Sequence, residues 1–416
     1  MRRPPEPPPF LVFLSYVNPV DKLLGRAPVY IVSAVRTPIG SFLGSLAGAT
    51  APELGAAAIR ASLERAGLAP GVVGEVFMGN VLSAGIGQAP QRQASLFAGI
   101  PNDVPTTGVS KVCGSGLQAV IFGAKTIALG DQDIVVAGGM ESMSNVPYYL
   151  PKARTGLRSG DGAVVDGMLF DGLFDPYNQF PMGEAAELCA KEFALTREAQ
   201  DAFAHESYRR AVAAQKKGAF AEEIVGVEIA GKKGEKTLVK EDEEPKRYLP
   251  DKMASLKPAF LEGGTITAAN ASKINDGAAA VVLASERAVK EHRLVPLARI
   301  AAYGAAAQAP EWFTTAPVLA IEKTLKGAGL AAKDIDLFEI NEAFAAVTMA
   351  CTARAGLDAD RVNVRGGAVA LGHPIGASGA RVLTTLLFAM RDRDVRRGLA
   401  TLCIGGGEAV ALVVER

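Results

Sequence analysis

Apolar and polar positions alternate in blocks that predict an α/β protein. Pro28–Ala34 (PVYIVSA) is apolar and β-branched, which is typical of a buried strand. Thr50–Gly67 has apolar residues at helical spacing and ends at a glycine. Val72–Met78 is predicted to be a second strand, Gly116–Leu129 a second helix, and Asp133–Ala137 a strand that runs into two glycines. Alternating strands and helices favour a sheet covered by helices.

The same order of blocks occurs twice. LERAGLAPGVVGEVF at Leu63–Phe77 matches LKGAGLAAKDIDLFE at Leu325–Glu339, an offset of 262 residues (325 minus 63). CGSG at Cys113–Gly116 matches GASG at Gly376–Gly379, and each precedes a helical pattern. Similarity at one long offset indicates a duplicated α/β unit, since solenoid repeats have periods of about 20–50 residues.

The duplication sets the predicted domain organisation. We expect one half at 28–141, completed by 275–295, and the other at 296–416. The segment 142–274 has no counterpart, so it is predicted to be an inserted domain for substrate binding, subunit contacts or both. Residues 1–27 are Pro-rich and lack a clean signal-peptide cleavage site. They are predicted to be a disordered extension, with a start codon placed too far upstream as the alternative.

Charge and cysteine usage exclude several functional classes. Lys plus Arg and Asp plus Glu both number 44, so no overall field favours nucleic acid or an anionic membrane. No continuous run of about 18 apolar residues predicts a membrane span. The four cysteines are scattered without a CxxC pair, which argues against a zinc site or a disulfide framework. This usage indicates a reducing compartment, and we expect a cytoplasmic location.

A cysteine lies at the start of a predicted helix, within SKVCGSG at Ser110–Gly116. Unpaired backbone N–H groups and the positive end of the helix dipole are expected to lower the pKa of Cys113. A cysteine of this kind suits a nucleophile. The alternative is a buried structural thiol in a tight turn.

Three further motifs contain residues that suit the same chemistry. His373 lies in a Gly-rich loop at 366–379 and could activate Cys113 as a base, although a lone histidine is more often structural. Cys403 precedes the glycines at 405–407, whose N–H groups suit an oxyanion hole. This thiol could be a second acid or base, or only a buried strand residue. Asn341 could orient a water or His373, but Asn-Glu is also an ordinary helix start.

Together these motifs resemble the thiolase family. The resemblance covers Pro28–Arg416 and rests on VRTPIG, KVCGSG, GGMESMSNVP, NASKINDGAAA, NEAFA, GHPIGASGAR and CIGGG. It implies the α/β thiolase fold, in which two duplicated halves form five α-β-α-β-α layers with an inserted loop domain. AQAPEWFTTAP at Ala307–Pro317 resembles the acetoacetyl-CoA thiolases. Acetyl-CoA C-acetyltransferase activity is therefore implied, which is the reversible condensation of two acetyl-CoA to acetoacetyl-CoA and CoA.

The resemblance also implies a role for each site residue. Cys113 would carry the acyl group as a thioester, and His373 would accept its proton. His373, with a water held by Asn341, would stabilise the thioester oxygen of the second substrate. Cys403 would remove a proton from the α-carbon of that substrate or return it. The N–H groups of Cys113 and Gly405 would form the oxyanion hole, and no metal or redox cofactor is implied.

For coenzyme A, the resemblance places Ser272 near the pantetheine. Arg247 would lie near the nucleotide, with a solvated surface charge as the equally weighted alternative. The tunnel residues it implies are Met182, Leu173, Phe260, Ala343 and Phe344. It also implies a homo-oligomer, dimer or tetramer. No nucleic-acid or membrane partner is expected.

Some residues depart from the family pattern, and they leave alternatives open. Ser110, Arg365 and Glu408 replace residues more usual in the family, without removing a catalytic group. Pro181 is more typical of degradative thiolases, so a broader 3-ketoacyl-CoA thiolase of fatty-acid β-oxidation is the first alternative. A non-catalytic acyl-CoA- or lipid-binding relative is the second, and it would lack a catalytic residue. A ketoacyl synthase would need a cysteine with two histidines, and only His373 is well placed.

Overall fold

The computed structural model describes residues 27–231 and 235–416, so nearly all of the predicted N-terminal extension lies outside the described residues. The strands are β1 (Val29–Arg36), β2 (Gly40–Ser41), β3 (Glu75–Gly79), β4 (Thr106–Val109), β5 (Ile134–Ser142), β6 (Tyr148–Tyr149), β7 (Val165–Asp166), β8 (Phe174–Asp175), β9 (Phe180–Pro181), β10 (Val227–Ala230), β11 (Lys236–Val239), β12 (Asn275–Ser285), β13 (Ala298–Ala307), β14 (Leu337–Ile340), β15 (Arg397–Ile404) and β16 (Glu408–Glu415). The α-helices are α1 (Ala51–Ala66), α2 (Pro90–Phe97), α3 (Ser115–Leu129), α4 (Met182–Glu192), α5 (Arg197–Lys216), α6 (Pro250–Met253), α7 (Glu286–Glu291), α8 (Ala316–Ala328), α9 (Ala345–Arg354), α10 (Ala368–Leu371) and α11 (Ser378–Asp392).

Ten strands form one mixed sheet in the order β14-β15-β16-β13-β1-β12-β5-β3-β4, with β2 paired to β12. The two halves of this sheet meet where β1 and β13 pair through Tyr30 with Arg299 and Ile31 with Ala298. One half therefore consists of β1, β3, β4, β5 and β12, and the other of β13 to β16. Between β5 and β12 the chain forms three separate two-stranded sheets and the helices α4, α5 and α6.

Each half of the sheet is buried on both faces, which produces five layers. On β12, Val281 packs into a core that contains α3 and α11, whereas Val282 packs against α1. On β16, Val410 joins the core of α3 and α11, whereas Val413 packs against α8 and α9. Both sheet halves thus share α3 and α11 as a middle layer. The α-β-α-β-α arrangement expected from the family resemblance is confirmed.

The two halves repeat their local structure as well as their order. Helix α1 ends at Gly67 and helix α8 at Gly329, and both glycines have φ 67° and ψ 27°. A 3-10 turn and a strand follow in each case. The left-handed conformation suits glycine, which explains why it occupies this helix end in both copies. The predicted duplication is confirmed.

Two element boundaries differ from the predicted ones. The strand predicted at Val72–Met78 starts at Glu75, because Pro70–Val72 form a 3-10 turn. The strand predicted to end before the glycines continues to Ser142, because its pairing with β12 continues through Gly138 and Gly139. Side chains at these two positions would clash with neighbouring backbone.

One segment, Val112–Leu129, is long and apolar enough to cross a membrane by length and composition alone. It contains α3, which lies between the two sheet halves with most of its surface buried. That placement is typical of a core helix in a globular protein.

Candidate active site

Cys113 lies in a tight turn directly before α3. Val112 has a positive φ of 44°, and the side chain of Ser115 accepts a hydrogen bond from the N–H of Lys111 at 2.8 Å and donates one to the Val112 carbonyl at 2.7 Å. The turn leaves Cys113 partly exposed. The backbone N–H groups of Gly405 and of Cys113 itself lower the pKa of the thiol. Both N–H groups expected to form an oxyanion hole therefore act electrostatically on the sulfur.

Burial dominates the pKa of the Cys113 thiol. Loss of hydration raises this pKa to about 11, the two N–H donors lower it in part, and the charge of Glu141 raises it further. The lowered pKa expected from the helix N-terminus is therefore wrong. The thiol is neutral at physiological pH, so its activation requires a base.

His373 is buried, and three hydrogen bonds fix its loop and its ring. Its N–H donates to Asn275 Oδ1 at 3.0 Å, and its Nδ1 lies 2.6 Å from Ser378 Oγ. Ser378 Oγ donates its only proton to the Pro374 carbonyl at 2.9 Å, so it accepts a hydrogen bond from the Nδ1–H. This network assigns the neutral tautomer in which Nδ1 carries the proton and Nε2 has a lone pair that faces the donor Asn341 Nδ2. Nε2 lies 3.4 Å from Asn341 Nδ2.

Burial also determines the charge of the imidazole. Loss of hydration, with a smaller contribution from the charge of Arg381, lowers the pKa of His373 to about 3. The ring is therefore neutral at physiological pH. A neutral thiol and a neutral imidazole form the resting state of the site.

Close glycine contacts bring the cysteine and histidine loops together. A Cβ on Gly379 would clash with the backbone of Leu117, and a Cβ on Gly116 would lie 2.9 Å from the N of Ala380. A Cβ on Gly79 would lie 2.8 Å from both the N of Gly116 and the O of Gly376. Only glycines permit this approach, which places the N-termini of α3 and α11 side by side.

Cys403 is buried on β15, directly before the glycine turn. Burial raises its pKa well above the usual value, and the charge of a Cys113 thiolate raises it further, so the two sulfurs lie within electrostatic range. Gly406 and Gly407 have φ of 89° and 84°, which turns the chain back from β15 into β16. The turn presents the N–H of Gly405 to Cys113.

Three of the expected coenzyme A contacts line one cavity of about 620 Å³, namely Ser272, Arg247 and Phe260. Arg247 is 64% exposed and lies 3.7 Å from Glu244. This position suits both a contact with the nucleotide and a solvated surface charge. The partly buried Lys273 lines the same cavity, and loss of hydration lowers its pKa to about 8.

The other expected tunnel residues divide between two apolar clusters. The ring of Phe260 packs edge-on against that of Phe344 at 6.0 Å, in an apolar cluster with Met182 and Ala343. Met182 Sδ lies beside Gly405, 3.5 Å from where a Cβ would lie. Leu173 packs against a different cluster, against which Cys113 also packs.

Two functional positions were missed in the sequence. The carboxylate of Glu141 accepts hydrogen bonds from Asn80 Nδ2 and from the N–H groups of Val81, Leu82 and Gly376 at 2.6–3.2 Å, so it ties β3 and β5 to the histidine loop. Burial raises its pKa to about 7. Ser378, the second, orients His373. Both residues lie inside motifs noted in the sequence, GGMESM and GASG. These motifs were the signal that could have identified them.

The residues that depart from the family pattern take up structural positions. Glu408 forms an ion pair with Lys111, which links the glycine turn to the cysteine turn. Arg365 donates to the Ala219 carbonyl at 2.9 Å and forms an ion pair with Asp392. Pro181 is exposed in β9. Over 27–231 and 235–416, no cluster of three or more His, Cys, Asp or Glu side chains could hold a metal ion.

The chain is similar to known proteins over nearly all of its length. The sequence profile of the thiolase N-terminal domain matches residues 29–287, and that of the thiolase C-terminal domain matches 294–416. The chain is 54% identical to an acetyl-CoA acetyltransferase of Schizosaccharomyces pombe, over 93% of this chain and 98% of the relative. An acetyl-CoA acetyltransferase of Cupriavidus necator is also 54% identical, over 93% of this chain and 99% of the relative.

A cytosolic acetyl-CoA acetyltransferase of Gibberella zeae is 54% identical over 93% of this chain and 98% of the relative. Among solved structures, a thiolase of Ascaris suum in complex with coenzyme A superimposes with a TM-score of 0.88. It is 46% identical, and the match covers 94% of this chain and all of that one.

Proposed function

This chain belongs to the thiolase family, and from that membership we propose that it is an acetyl-CoA C-acetyltransferase. It joins two acetyl-CoA into acetoacetyl-CoA and CoA, and catalyses the reverse thiolysis, through an acyl group on Cys113. The observation that carries this proposal is the close approach of three loops, in which Gly116 and Gly379 bring the Cys113 turn against the His373 loop and Gly114 packs against Ile404, next to the buried Cys403.

In the first half-reaction, the sulfur of Cys113 attacks the carbonyl carbon of acetyl-CoA, and its proton passes to Nε2 of His373. The N–H groups of Cys113 and Gly405 stabilise the oxyanion. The CoA sulfur leaves with the proton of Cys403. The products are the acetyl-cysteine, a Cys403 thiolate and a His373 imidazolium, so the charges balance.

In the second half-reaction, the Cys403 thiolate takes a proton from the α-carbon of another acetyl-CoA. The imidazolium N–H and a water held by Asn341 stabilise the enolate oxygen. Asn341 Oδ1 is buried and has no partner among the described residues, which suits a bond to such a water. The enolate attacks the acetyl group, acetoacetyl-CoA leaves, and the Cys113 thiolate regains its proton from His373.

Coenzyme A is proposed to enter through the inserted segment 142–274. Ser272 would contact the pantetheine and Arg247 the nucleotide, with the tunnel residues between this cavity and Cys113. The halves at 28–141 with 275–295 and at 296–416 remain the proposed domains. A homodimer or homotetramer is proposed from the family, and a cytoplasmic location from the cytosolic relative of Gibberella zeae.

Thiolysis assays against acyl chain length test this function. We expect acetoacetyl-CoA to be preferred over 3-ketoacyl-CoA substrates of eight to sixteen carbons. Cys113→Ala should abolish both thiolysis and the 42-Da mass increase of the acetyl-enzyme (about one acetyl group in place of one proton). A preference of the wild-type protein for the long substrates would favour the β-oxidation thiolase instead. An acetylated Cys113→Ala protein would refute the nucleophile.

A further inference from the structure

Four buried apolar side chains from four separate segments form a cluster against which Cys113 packs. They are Leu82 after β3, Met143 after β5, Met168 after β7 and Ile375 in the histidine loop, and their exposed fractions are 1–6%. We call these four residues the Cys113 cluster. Of the residues along the expected tunnel, Leu173 packs against this cluster, whereas Met182, Phe260 and Phe344 lie in a different apolar cluster.

The Cys113 cluster has little spare room. A Cβ at Gly172 would already lie 3.1 Å from Ile375 Cδ1 and 3.2 Å from Leu82 Cδ2, closer than ordinary van der Waals contact. An added carbon atom at Gly172 therefore forces Ile375 and Leu82 to move.

The backbone behind three of the four side chains is fixed by hydrogen bonds. Glu141 accepts from the N–H of Leu82 at 3.2 Å and from that of Gly376, next to Ile375, at 2.9 Å. Asp166 accepts from the N–H of Met168 at 2.9 Å. Because these supports are buried or partly buried, the side chains cannot withdraw by a simple loop movement.

We propose that the Cys113 cluster limits the length of the acyl group on Cys113, with Met168 and Ile375 as specificity-determining residues. This inference rests on the proposed function, because it concerns the acyl group that Cys113 carries. An acetyl group adds one methyl beyond the carbonyl carbon and fits beside the cluster. Each further methylene displaces a packed side chain. Pro181, whose departure from the family pattern raised the question of chain length, is exposed and lies outside the cluster.

The test enlarges the cluster by removing carbon atoms. Met168→Ala removes most of one side chain, whereas Ile375→Val removes a single methyl-sized group. The matched control is Met390→Ala, since Met390 is also fully buried but lies on α11 in the core between the sheets. For each protein, kcat/KM for thiolysis is measured with acetoacetyl-CoA, 3-ketohexanoyl-CoA and 3-ketooctanoyl-CoA.

We expect Met168→Ala to raise the ratio of kcat/KM for 3-ketohexanoyl-CoA to that for acetoacetyl-CoA by about tenfold or more, because one methylene in an apolar pocket changes discrimination by about 10–200-fold. Ile375→Val should raise the ratio by less, and Met390→Ala should leave it at the wild-type value. If Met168→Ala does not fold, Ile375→Val decides the question, because this small change is well tolerated in cores.

Wild-type ratios in both folded cluster variants would overturn the inference, as would an equal rise in the Met390→Ala control. Failure of the proposed function gives a different result. A wild-type protein that already prefers the long substrates contradicts the acetyl-CoA assignment before any variant is made.

Discussion

The hydrogen bond between Ser378 and His373 offers a direct test of the proposed base. Ser378→Ala removes the oxygen that accepts from Nδ1 at 2.6 Å and leaves a buried N–H without its partner. An unsatisfied buried donor costs about 1–3 kcal/mol. Loss of this hydrogen bond weakens the preference for the tautomer that has its lone pair on Nε2. Since about 1.4 kcal/mol changes a rate tenfold, kcat should fall about 5- to 150-fold.

Steady-state thiolysis of acetoacetyl-CoA measures this effect, with acetyl-enzyme formation followed in the same variant. KM should stay within about twofold, because Ser378 lies behind the imidazole and not in the expected coenzyme A cavity. Ser62→Ala is the matched control, since Ser62 on α1 is equally buried and also donates to a backbone carbonyl, that of Ile59 at 2.8 Å. A kcat within twofold of wild type in Ser378→Ala, or an equal fall in Ser62→Ala, would refute this role of Ser378.

The remaining predictions concern the second thiol, the titration of the nucleophile and the helix contact. Cys403→Ser should slow the condensation of acetyl-CoA more than the acetylation of Cys113. Formation of acetoacetyl-CoA measures the condensation, and the mass of the acetyl-enzyme measures the acetylation. Intact condensation would contradict the role of Cys403 as second base. The raised pKa of about 11 means that only a small fraction of Cys113 is thiolate at neutral pH. Alkylation by iodoacetamide should therefore accelerate about tenfold per pH unit from pH 7 to 10. A plateau below pH 9 would contradict this pKa. Gly379→Ala should lower the free energy of unfolding by about 1–3 kcal/mol or more, because the new Cβ clashes with α3. Gly327 is exposed and has no neighbour near its Cβ, so Gly327→Ala should raise the free energy of unfolding by about 0.5–1 kcal/mol. Chemical denaturation compares the two variants, and equal effects would contradict the close helix contact.

Much of the fold could be predicted from local pattern. The helix predicted at Thr50–Gly67 forms over Ala51–Ala66, and its two flanking residues are caps: Thr50 accepts from the Glu53 N–H, and Gly67 adopts the left-handed conformation that ends a helix. The repeat was visible because the two copies preserve turn and helix-end residues as well as apolar positions. Boundaries failed where long-range packing decides them. The strand through Gly138 and Gly139 is extended because neighbouring backbone approaches it closely, and hydropathy does not record that approach.

The candidate site could be predicted as a set of residue types, but not as an electrostatic environment. Cys113 and His373 were identified from glycine-rich loops, and the structure brings those loops together. The direction of the Cys113 pKa shift was wrong, because the helix N-terminus is visible in sequence whereas the burial that outweighs it is not. Glu141 and Asn275 were missed as supports of the histidine loop, since their partners are backbone groups distant along the chain.

The site depends on differences between the two copies of the duplicated unit. With the 263-residue offset (376 minus 113), Cys113 in one copy corresponds to Gly376 in the other, and with the 262-residue offset (341 minus 79), Asn341 corresponds to Gly79. A Cβ at Gly376 would meet Glu141 Oε2 at 2.5 Å, and one at Gly79 would meet the backbone of both helix starts. Cys113 and Asn341 therefore each have a counterpart whose missing Cβ lets the loops touch. Two identical copies could not build this site, because a side chain at both positions would separate the loops and a glycine at both would remove the chemistry.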